Sequence, residues 1–350
     1  MVKNPTVFIA DDYILGDTLR DLERELTERG IRVIRGPASH PGMRTVFDPA
    51  DYGKLFGDAH VLMFNSRSVC DRQVVFACTN ALAFINPTCG METVDLEAVT
   101  RKGCIAGNGA IPENVNSVAE ASVCAMLMLS HQTLRSIQSV KNGYEKPPAK
   151  ESWSTMLCGK KVGLVGFGHI GMAAAERLRP FGVEILAASP HLTPETAPPY
   201  VRACALEELL RESDFVSLYV AINKSTYQMI NAGTLAMMKP TAYLINTSRG
   251  DAVDEDALYE ALRAKKLAGA ALDTFHVEPL PLQSRLRTLD NVILTPHMAG
   301  ATIDNFRAVN RMAVHNILAV LNGELPAYCK NPEIGDAWKE SYRRRDDLAG

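Results

Sequence analysis

The sequence predicts an α/β protein with two domains, each built on a parallel sheet with helices between its strands. Three observations support this fold class. The chain has 350 residues, enough for two domains of ordinary size. Short apolar runs alternate with segments of helical periodicity along most of the chain. A glycine-rich turn, Gly166 to Gly171, separates an apolar run from a helical segment near the middle.

Composition and charge exclude several classes of function. The 37 Lys and Arg residues nearly balance the 40 Asp and Glu residues, for a net charge of −3, and no basic stripe suits nucleic acid or anionic lipid. The most apolar helical stretch, Val123 to Leu129, is far shorter than the ~18 residues of a membrane span. The N-terminus lacks the apolar core of a signal peptide. We therefore expect a cytoplasmic protein that binds neither nucleic acid nor a membrane.

The eight cysteines predict free thiols rather than a disulfide framework or a metal site. They lie mostly in apolar settings and include no CxxC pair, the spacing that zinc sites commonly use. We expect buried thiols and no bound metal.

The first domain opens with a strand, Thr6 to Ala10. Leucines at steps of four, three and four residues then mark one face of a helix that Gly30 ends. These are Leu15, Leu19, Leu22 and Leu26. Further strand candidates complete a small sheet. They are Ile31 to Arg35, Val61 to Phe64, Ala83 to Asn86 and Gly103 to Ala106.

A long helix is expected next. Ser117 and Glu120 form a capping-box pattern. The sequence from Val118 to Val140 is largely apolar over its first half and is followed by Gly143, which indicates a mostly buried helix between the domains. Tyr144 to Gly159, which contains two prolines, has weak periodicity and is interpreted as a connecting segment.

Six strand candidates define a second, doubly wound parallel sheet. They are Lys161 to Gly166, Val183 to Ala188, Phe215 to Val220, Tyr243 to Asn246, Ala268 to Asp273, and Val292 to Thr295. An amphipathic helix is predicted from Phe306 to Leu321, ending at Gly323, and a polar tail from Lys339 to Asp347 closes the chain.

The turn Gly166-Phe167-Gly168-His169-Ile170-Gly171 follows an apolar strand and precedes a helix. In that context the first glycine permits a tight turn, the second lets the backbone approach a pyrophosphate, and the third allows close helix packing. The motif therefore predicts a dinucleotide site. The acidic residue that normally holds the adenosine ribose is absent. Ser189 stands there, so the choice between NAD and NADP stays open.

Three segments that follow strands of the second sheet carry charged or titratable side chains. They are Asn246 to Gly250, Asp273 to Pro279 and Thr295 to Gly300. Ligands of open α/β sheets gather at the carboxyl ends of the strands. Each side chain alone has a plain interpretation, with Arg249 as a surface cation, Glu278 as a solvated carboxylate and His297 as a residue before a helix.

Together these motifs resemble the D-isomer-specific 2-hydroxyacid dehydrogenase family over nearly the whole chain. The similar segments are the glycine turn, NTSRG at 246–250, DTFHVEP at 273–279, TPHMAG at 295–300 and NVNSVAE at 114–120. The resemblance implies a Rossmann-type dinucleotide domain at residues 117–300. It also implies a flavodoxin-like, discontinuous substrate domain formed by residues 1–116 and 301–350.

The resemblance further implies roles for single residues. Arg249 would bind the substrate carboxylate and carbonyl, His297 would be the acid/base, Glu278 would be its carboxylate partner, and Asp273 would lie near the nicotinamide carboxamide. The other implied cofactor contacts are Gly166, Gly168, His169, Ile170, Gly171, Ser189, Val220, Thr247 and His297. The implied substrate contacts in the first domain are Asn65, Ser66, Cys89, Gly90 and Asn114.

The chemistry of these side chains fits the reduction of a 2-oxo acid. A hydride must reach the carbonyl carbon and a proton its oxygen, and a histidine titrating near neutrality can supply that proton. A nearby carboxylate orients the ring and favours the imidazolium. Arg249 offers a planar fork for a carboxylate. Glu278 also argues against the formate dehydrogenase branch, which has glutamine there.

The chain departs from the family pattern in places that bear on the substrate and on cofactor affinity. The segment Thr88 to Glu92 differs at two positions from the usual GxGxD, and Tyr219 and Ala221 replace a common histidine and proline. Arg67 is interpreted as a solvated arginine, although it could bind a substrate phosphate. His276 lies close to Glu278 in sequence, but only His297 matches the family's histidine.

We therefore predict an NAD- or NADP-dependent oxidoreductase that interconverts a 2-oxo acid and a D-2-hydroxy acid. Family members are typically homodimers joined through the nucleotide domain and its long helix, and we expect the same here. Two other functions stay open. One is an NAD(H)-sensing binding protein, like the corepressors that resemble these dehydrogenases, and the other is a phosphite-oxidising relative.

Overall fold

The computed structural model describes residues 2–143 and 153–348. Within these ranges the strands are β1 (Thr6–Ile9), β2 (Arg32–Arg35), β3 (Val61–Met63), β4 (Ala83–Ile85), β5 (Ile105–Gly107), β6 (Lys161–Val165), β7 (Glu184–Ala188), β8 (Val201–Ala203), β9 (Phe215–Leu218), β10 (Tyr243–Asn246), β11 (Gly269–Leu272) and β12 (Val292–Leu294). The helices are α1 (Gly16–Glu28), α2 (Tyr52–Phe56), α3 (Arg72–Ala77), α4 (Leu96–Arg101), α5 (Pro112–Ser130), α6 (Thr133–Lys141), α7 (His169–Leu178), α8 (Leu206–Glu212), α9 (Ala232–Leu235), α10 (Glu255–Arg263), α11 (Ile303–Leu321) and α12 (Gly335–Leu348). The named strands pair only in parallel, which confirms the predicted α/β class.

The chain divides into two units, and the first comprises Met1–Asn114 with Ile303–Gly350. Its five strands pair in the order β2-β1-β3-β4-β5. Leu19, Leu22 and Leu26 of α1 are buried in one core cluster, as their spacing predicts. Because side chains alternate along a strand, Phe8 of β1 points to the opposite face and packs there with other aromatic rings.

The second unit comprises Val115–Thr302. Its seven strands pair in the order β12-β11-β10-β9-β6-β7-β8. The winding reverses between β6 and β9, and in such sheets ligands bind at the carboxyl ends of the strands beside that reversal. All six predicted strands are present. The seventh, β8, was not predicted because three residues that include Arg202 are too short and too polar to show a strand pattern.

The predicted long helix is wrong in its limits. Helix α5 begins at Pro112 rather than at Ser117. Ser117 is therefore an interior residue of the helix, and its buried hydroxyl lies 2.8 Å from the hydroxyl of Thr302. The helix ends at Ser130, and Gln132 has a φ of 49°. A residue in this left-handed conformation cannot continue a right-handed helix, so α6 is a separate element.

The connecting segment agrees with its prediction where the structure describes it, whereas the C-terminal tail does not. Residues 144–152 of the segment lie outside the described residues, and 153–159 contain neither helix nor strand. The predicted polar tail is helix α12 instead. Its Trp338 and Tyr342 are buried, and they donate hydrogen bonds to the carbonyls of Leu82 and Leu321 at 2.9 and 2.6 Å.

All eight cysteines lie in the described ranges, and none of them forms a disulfide. Cys70, Cys78 and Cys104 are buried, as expected, whereas Cys124 and Cys158 are exposed and depart from the expectation of buried thiols. Burial raises the pKa of the Cys78 thiol to about 12. In the part of the chain that the structure describes, no helix has the length and apolarity needed to cross a membrane.

Candidate functional site

The glycine turn joins β6 to α7 at the reversal of the second sheet. Gly166 has a φ of 91°, and a Cβ there would lie 2.5 Å from the carbonyl oxygen of Tyr219. A Cβ on Gly171 would lie 2.5 Å from the carbonyl oxygen of Gly166. Both positions therefore exclude any larger residue.

The middle glycine has a different environment. A Cβ on Gly168 would meet nothing within 4 Å, and both Gly168 and His169 are exposed. The open space lies at the N-terminus of α7, where unpaired backbone N–H groups and the helix dipole favour an anion. The turn thus fits the pyrophosphate of a dinucleotide. Ile170 faces inward instead and packs against Ala119 and neighbouring alanines.

Ser189 follows β7, where a dinucleotide's adenosine ribose is expected. Arg202, the next arginine along the chain, is already paired in an acidic network. It contacts Glu208, lies 2.7 Å from Glu212 and lies 3.5 Å from Glu184. Because these carboxylates engage its guanidinium, Arg202 is a poor partner for a 2′-phosphate.

Val220 lies against the glycine turn, and Thr247 contacts helix α5. A Cβ on Gly166 would approach the Val220 side chain to 3.2 Å, and the Thr247 hydroxyl lies 2.9 Å from the hydroxyl of Ser122 on α5. The neighbouring Tyr219 hydroxyl is buried, and this burial raises the pKa of the phenol. The tyrosine that departs from the family pattern therefore acts as an interior residue.

Asp273 organises the loop that carries His297. Its buried carboxylate accepts hydrogen bonds from the Thr295 hydroxyl at 2.6 Å and from the backbone N–H groups of Met298 and Ala299 at 2.8 Å each. Its carbonyl accepts the N–H of His297 at 2.8 Å. Sequence reasoning missed this role, because bonds to the backbone leave no pattern of residue types. The predicted cofactor contact of Asp273 stays a prediction.

His297 itself has a φ of 56°. Residues with a β-carbon rarely adopt this left-handed conformation, and such strain clusters at functional sites. The ring nitrogen Nδ1 lies 2.8 Å from Oε2 of Glu278. The structure therefore brings together the predicted acid/base and its predicted carboxylate partner.

Glu278 is held by its own loop. Its second oxygen, Oε1, accepts the backbone N–H of Phe275 at 3.1 Å. The side chains of His297 and Glu278 keep 42% and 34% of their surface exposed. The pair is thus fixed in orientation but remains open to an incoming molecule.

Arg249 follows β10 and is half-buried. The Asn246 amide donates to the Arg249 carbonyl at 2.9 Å, which fixes the backbone at this point. The next residue, Gly250, touches the loop of Glu278 directly, since a Cβ there would lie 1.9 Å from the carbonyl carbon of Phe275. The loops that carry Arg249 and Glu278 are therefore in backbone contact.

The predicted substrate residues of the first unit have distinct roles. Asn65 is buried, and its amide donates to the carbonyls of Ala10 and Asp11 while its Oδ1 accepts the N–H of Arg67. Its own N–H donates to the Ser68 hydroxyl at 3.0 Å. These bonds make Asn65 a support for its loop, because its polar groups are already used.

Ser66, next in the chain, is exposed, and Gly90 is buried. The Asn114 amide donates to Sγ of Cys89 at 3.2 Å, so these two predicted substrate residues are in contact. Arg67 is not the solvated arginine that was expected. It pairs with the buried carboxylate of Asp12 at 3.0 Å and lies over the ring of Tyr13.

A doubly wound sheet, a glycine turn open to a pyrophosphate and a histidine–carboxylate pair at neighbouring strand ends are typical of dinucleotide-dependent oxidoreductases. No cluster of His, Cys, Asp or Glu side chains among the described residues could hold a metal ion. The arrangement can therefore bind a dinucleotide and exchange a proton.

Comparison with known proteins identifies the family. Residues 123–299 match the family described as D-isomer specific 2-hydroxyacid dehydrogenase, NAD binding domain. A glyoxylate reductase of Thermofilum pendens is 37% identical over 75% of this chain and 79% of its own length. A hydroxypyruvate reductase of Thermotoga maritima is 35% identical over 77% of this chain and 87% of its own length. The crystal structure of TT0316 protein from Thermus thermophilus matches with a TM-score of 0.79 and 30% identity, covering 93% of this chain and 99% of that one.

The chain belongs to the D-isomer-specific 2-hydroxyacid dehydrogenase family. It is a D-2-hydroxyacid dehydrogenase, an oxidoreductase that acts on a small hydroxy or oxo acid with NAD or NADP.

Proposed function

We propose that this enzyme interconverts a small 2-oxo acid and the corresponding D-2-hydroxy acid with His297 as the acid/base. The observation that carries the proposal is the 2.8 Å contact between Nδ1 of His297 and Oε2 of Glu278. Because Glu278 engages Nδ1, Nε2 is the nitrogen left to give a proton to the substrate oxygen or to take it back. Glu278 holds the ring in this orientation.

NAD or NADP, when bound, supplies or accepts the hydride. In reduction, one hydride and one proton add to the C=O group, so the oxo acid becomes the hydroxy acid and the cofactor is oxidised. The open space at Gly168 supports a pyrophosphate there. The side chains proposed to complete the cofactor site are Ser189, Val220, Thr247 and Asp273.

Arg249 is proposed to bind the substrate carboxylate. Its guanidinium presents two parallel N–H groups that match a carboxylate, and its backbone is fixed by Asn246. Ser66, Cys89, Gly90 and Asn114 remain the proposed substrate residues of the first unit. Asn65 supports the loop of Ser66, because its Oδ1 accepts the N–H of Arg67.

Glyoxylate and hydroxypyruvate are the proposed first substrates to test, because the relatives that this chain resembles are named as reductases of these acids. The enzyme is further proposed to be a homodimer. Support comes from α6, whose Leu134, Ile137 and Val140 are exposed at a spacing of three residues.

The test is the variant His297→Ala, assayed by the decay of NADH and NADPH absorbance with a panel of 2-oxo acids. We expect the rate of reduction to fall by roughly two to four orders of magnitude, the scale of lost general acid catalysis. Nucleotide binding, measured by fluorescence titration, should stay nearly unchanged. His315→Gln, at an exposed histidine of the first unit, is the control and should keep full activity. Near-normal turnover by His297→Ala would refute the assignment.

A further inference from the structure

A second histidine–carboxylate pair lies beside the first. Nδ1 of His276 lies 2.5 Å from Oδ1 of Asp251, and the backbone N–H of His276 donates to Oε1 of Glu255 at 2.7 Å. Asp251 belongs to the short 3-10 turn Gly250–Ala252 that follows Arg249, and Glu255 is the first residue of α10. His276 thus makes two polar contacts with the segment that begins at Arg249.

His276 also belongs to the loop that carries Glu278. The N–H of Phe275, immediately before His276, donates to Oε1 of Glu278 at 3.1 Å, and the other Glu278 oxygen holds His297. On the opposite side, Gly250 lies against the backbone of Phe275. A continuous set of contacts therefore runs from Asp251 through His276 and Phe275 to Glu278 and His297.

We infer that His276 is a positioning residue, which fixes the loop of Glu278 to the loop of Arg249 through its ion pair with Asp251. This inference rests on the proposed roles of Arg249 and Glu278. His276 exchanges no proton with the substrate. It fixes the position of the Arg249 guanidinium relative to the His297–Glu278 pair, so that a substrate bound by Arg249 presents its carbonyl to His297.

The ion pair between His276 and Asp251 is lost as the pH rises. The hydrogen bond to Asp251 raises the pKa of His276. Burial of the ring opposes this increase, and the negative charges of Asp251 and Glu255 add to it. These two carboxylates are the charged groups that face the ring, and Glu278 is the next acidic side chain on its own loop. Since the folded pKa is raised, the pair is fully formed below the ordinary histidine value of about 6.5. It is lost as the pH rises through the raised pKa.

The experiment compares His276→Gln, Asp251→Asn and the double variant with wild type, using glyoxylate and NADH over a range of pH. We expect kcat/KM at acidic pH to fall about threefold in each single variant, the scale of an exposed ion pair, and to fall no further in the double variant. The ratio of wild-type to variant kcat/KM should approach one at alkaline pH. The affinity for NADH should not change, and the melting temperature should fall by no more than about 2 °C.

Two further variants complete the test. His276→Arg retains a positive charge at every pH, so it should keep most of the activity and remove the pH dependence of the ratio. His315→Gln is the control for loss of an exposed histidine. Additive effects in the double variant, a ratio that does not vary with pH, or no loss in His276→Gln would overturn the inference.

Failure of this inference is distinguishable from failure of the proposed function. If His297→Ala abolishes turnover while His276→Gln leaves kcat/KM unchanged, only the positioning role of His276 is wrong. If His297→Ala retains turnover, the proposed acid/base is wrong, whatever His276→Gln does.

Discussion

At the scale of the residue, His297 combines a strained backbone with a well-held ring. A left-handed φ on a residue with a β-carbon costs of the order of 1 kcal/mol. Asp273 offsets this cost because its carboxylate and carbonyl take up the backbone N–H groups of His297, Met298 and Ala299. The conformation places Nδ1 against Glu278, so the strained backbone serves the orientation of the ring.

Ser189 is the residue proposed to set the preference between NAD and NADP. An aspartate there would accept hydrogen bonds from the ribose hydroxyls of NADH and repel the 2′-phosphate of NADPH, because two like charges about 4 Å apart repel by ~1 kcal/mol in water and by ~4 kcal/mol near a protein surface. Ser189→Asp should therefore raise the ratio of kcat/KM for NADH over NADPH by roughly tenfold.

The control for this prediction is Ser189→Asn, which has the shape of aspartate without its charge. Steady-state kinetics with both cofactors should show little change in the ratio for that variant. If Ser189→Asp also leaves the ratio where it is in wild type, Ser189 does not lie at the ribose.

At the scale of the element, helix α12 shows how a polar segment becomes part of a core. Charged side chains such as Glu340 and Arg343 are exposed, but Trp338 and Tyr342 are four residues apart and therefore share one face. Both pack into the core of the first unit and donate to backbone carbonyls there. We expect α12 to contribute strongly to the stability of this unit.

Trp338→Ala tests that contribution. Replacing a buried tryptophan by alanine typically costs about 3 to 5 kcal/mol, and the carbonyl of Leu82 would lose the indole N–H while keeping the backbone N–H of Ile105. Chemical denaturation should show a matching fall in the free energy of unfolding. Arg343→Ala, at an exposed position of the same helix, should stay within about 0.5 kcal/mol of wild type. Equal stabilities of the two variants would show that α12 is not part of the core.

The elements that sequence predicts are those whose own residues repeat a pattern. The leucines of α1 and the apolar runs of the second sheet repeat at helical or strand spacing, so their positions were predicted correctly. β8 and α12 depend on contacts with distant residues, which periodicity does not report. The same reason explains the candidate site. The motifs predicted His297 and Glu278. The contacts of Asp273 and His276 join residues that are far apart in the sequence, so only the structure shows them.

At the scale of the whole molecule, the proposed homodimer predicts a specific surface. Leu134, Ile137 and Val140 form an exposed apolar stripe on α6, and Val140 keeps 75% of its surface accessible. Trp153 and Met156, in the described part of the connecting segment, are also exposed. Exposed apolar side chains that are grouped rather than scattered mark interaction sites.

A charge placed in this stripe should separate the subunits. Ile137→Glu would bury a carboxylate in an apolar interface without a partner, which is costly enough to outweigh most of the packing it replaces. Sedimentation velocity at micromolar protein should therefore show the wild type as a dimer and Ile137→Glu as a monomer. Arg135→Glu places a carboxylate at an exposed position on the opposite face of α6 and should remain dimeric. A monomeric wild type would contradict the homodimer, and a dimeric Ile137→Glu would place the interface on another surface.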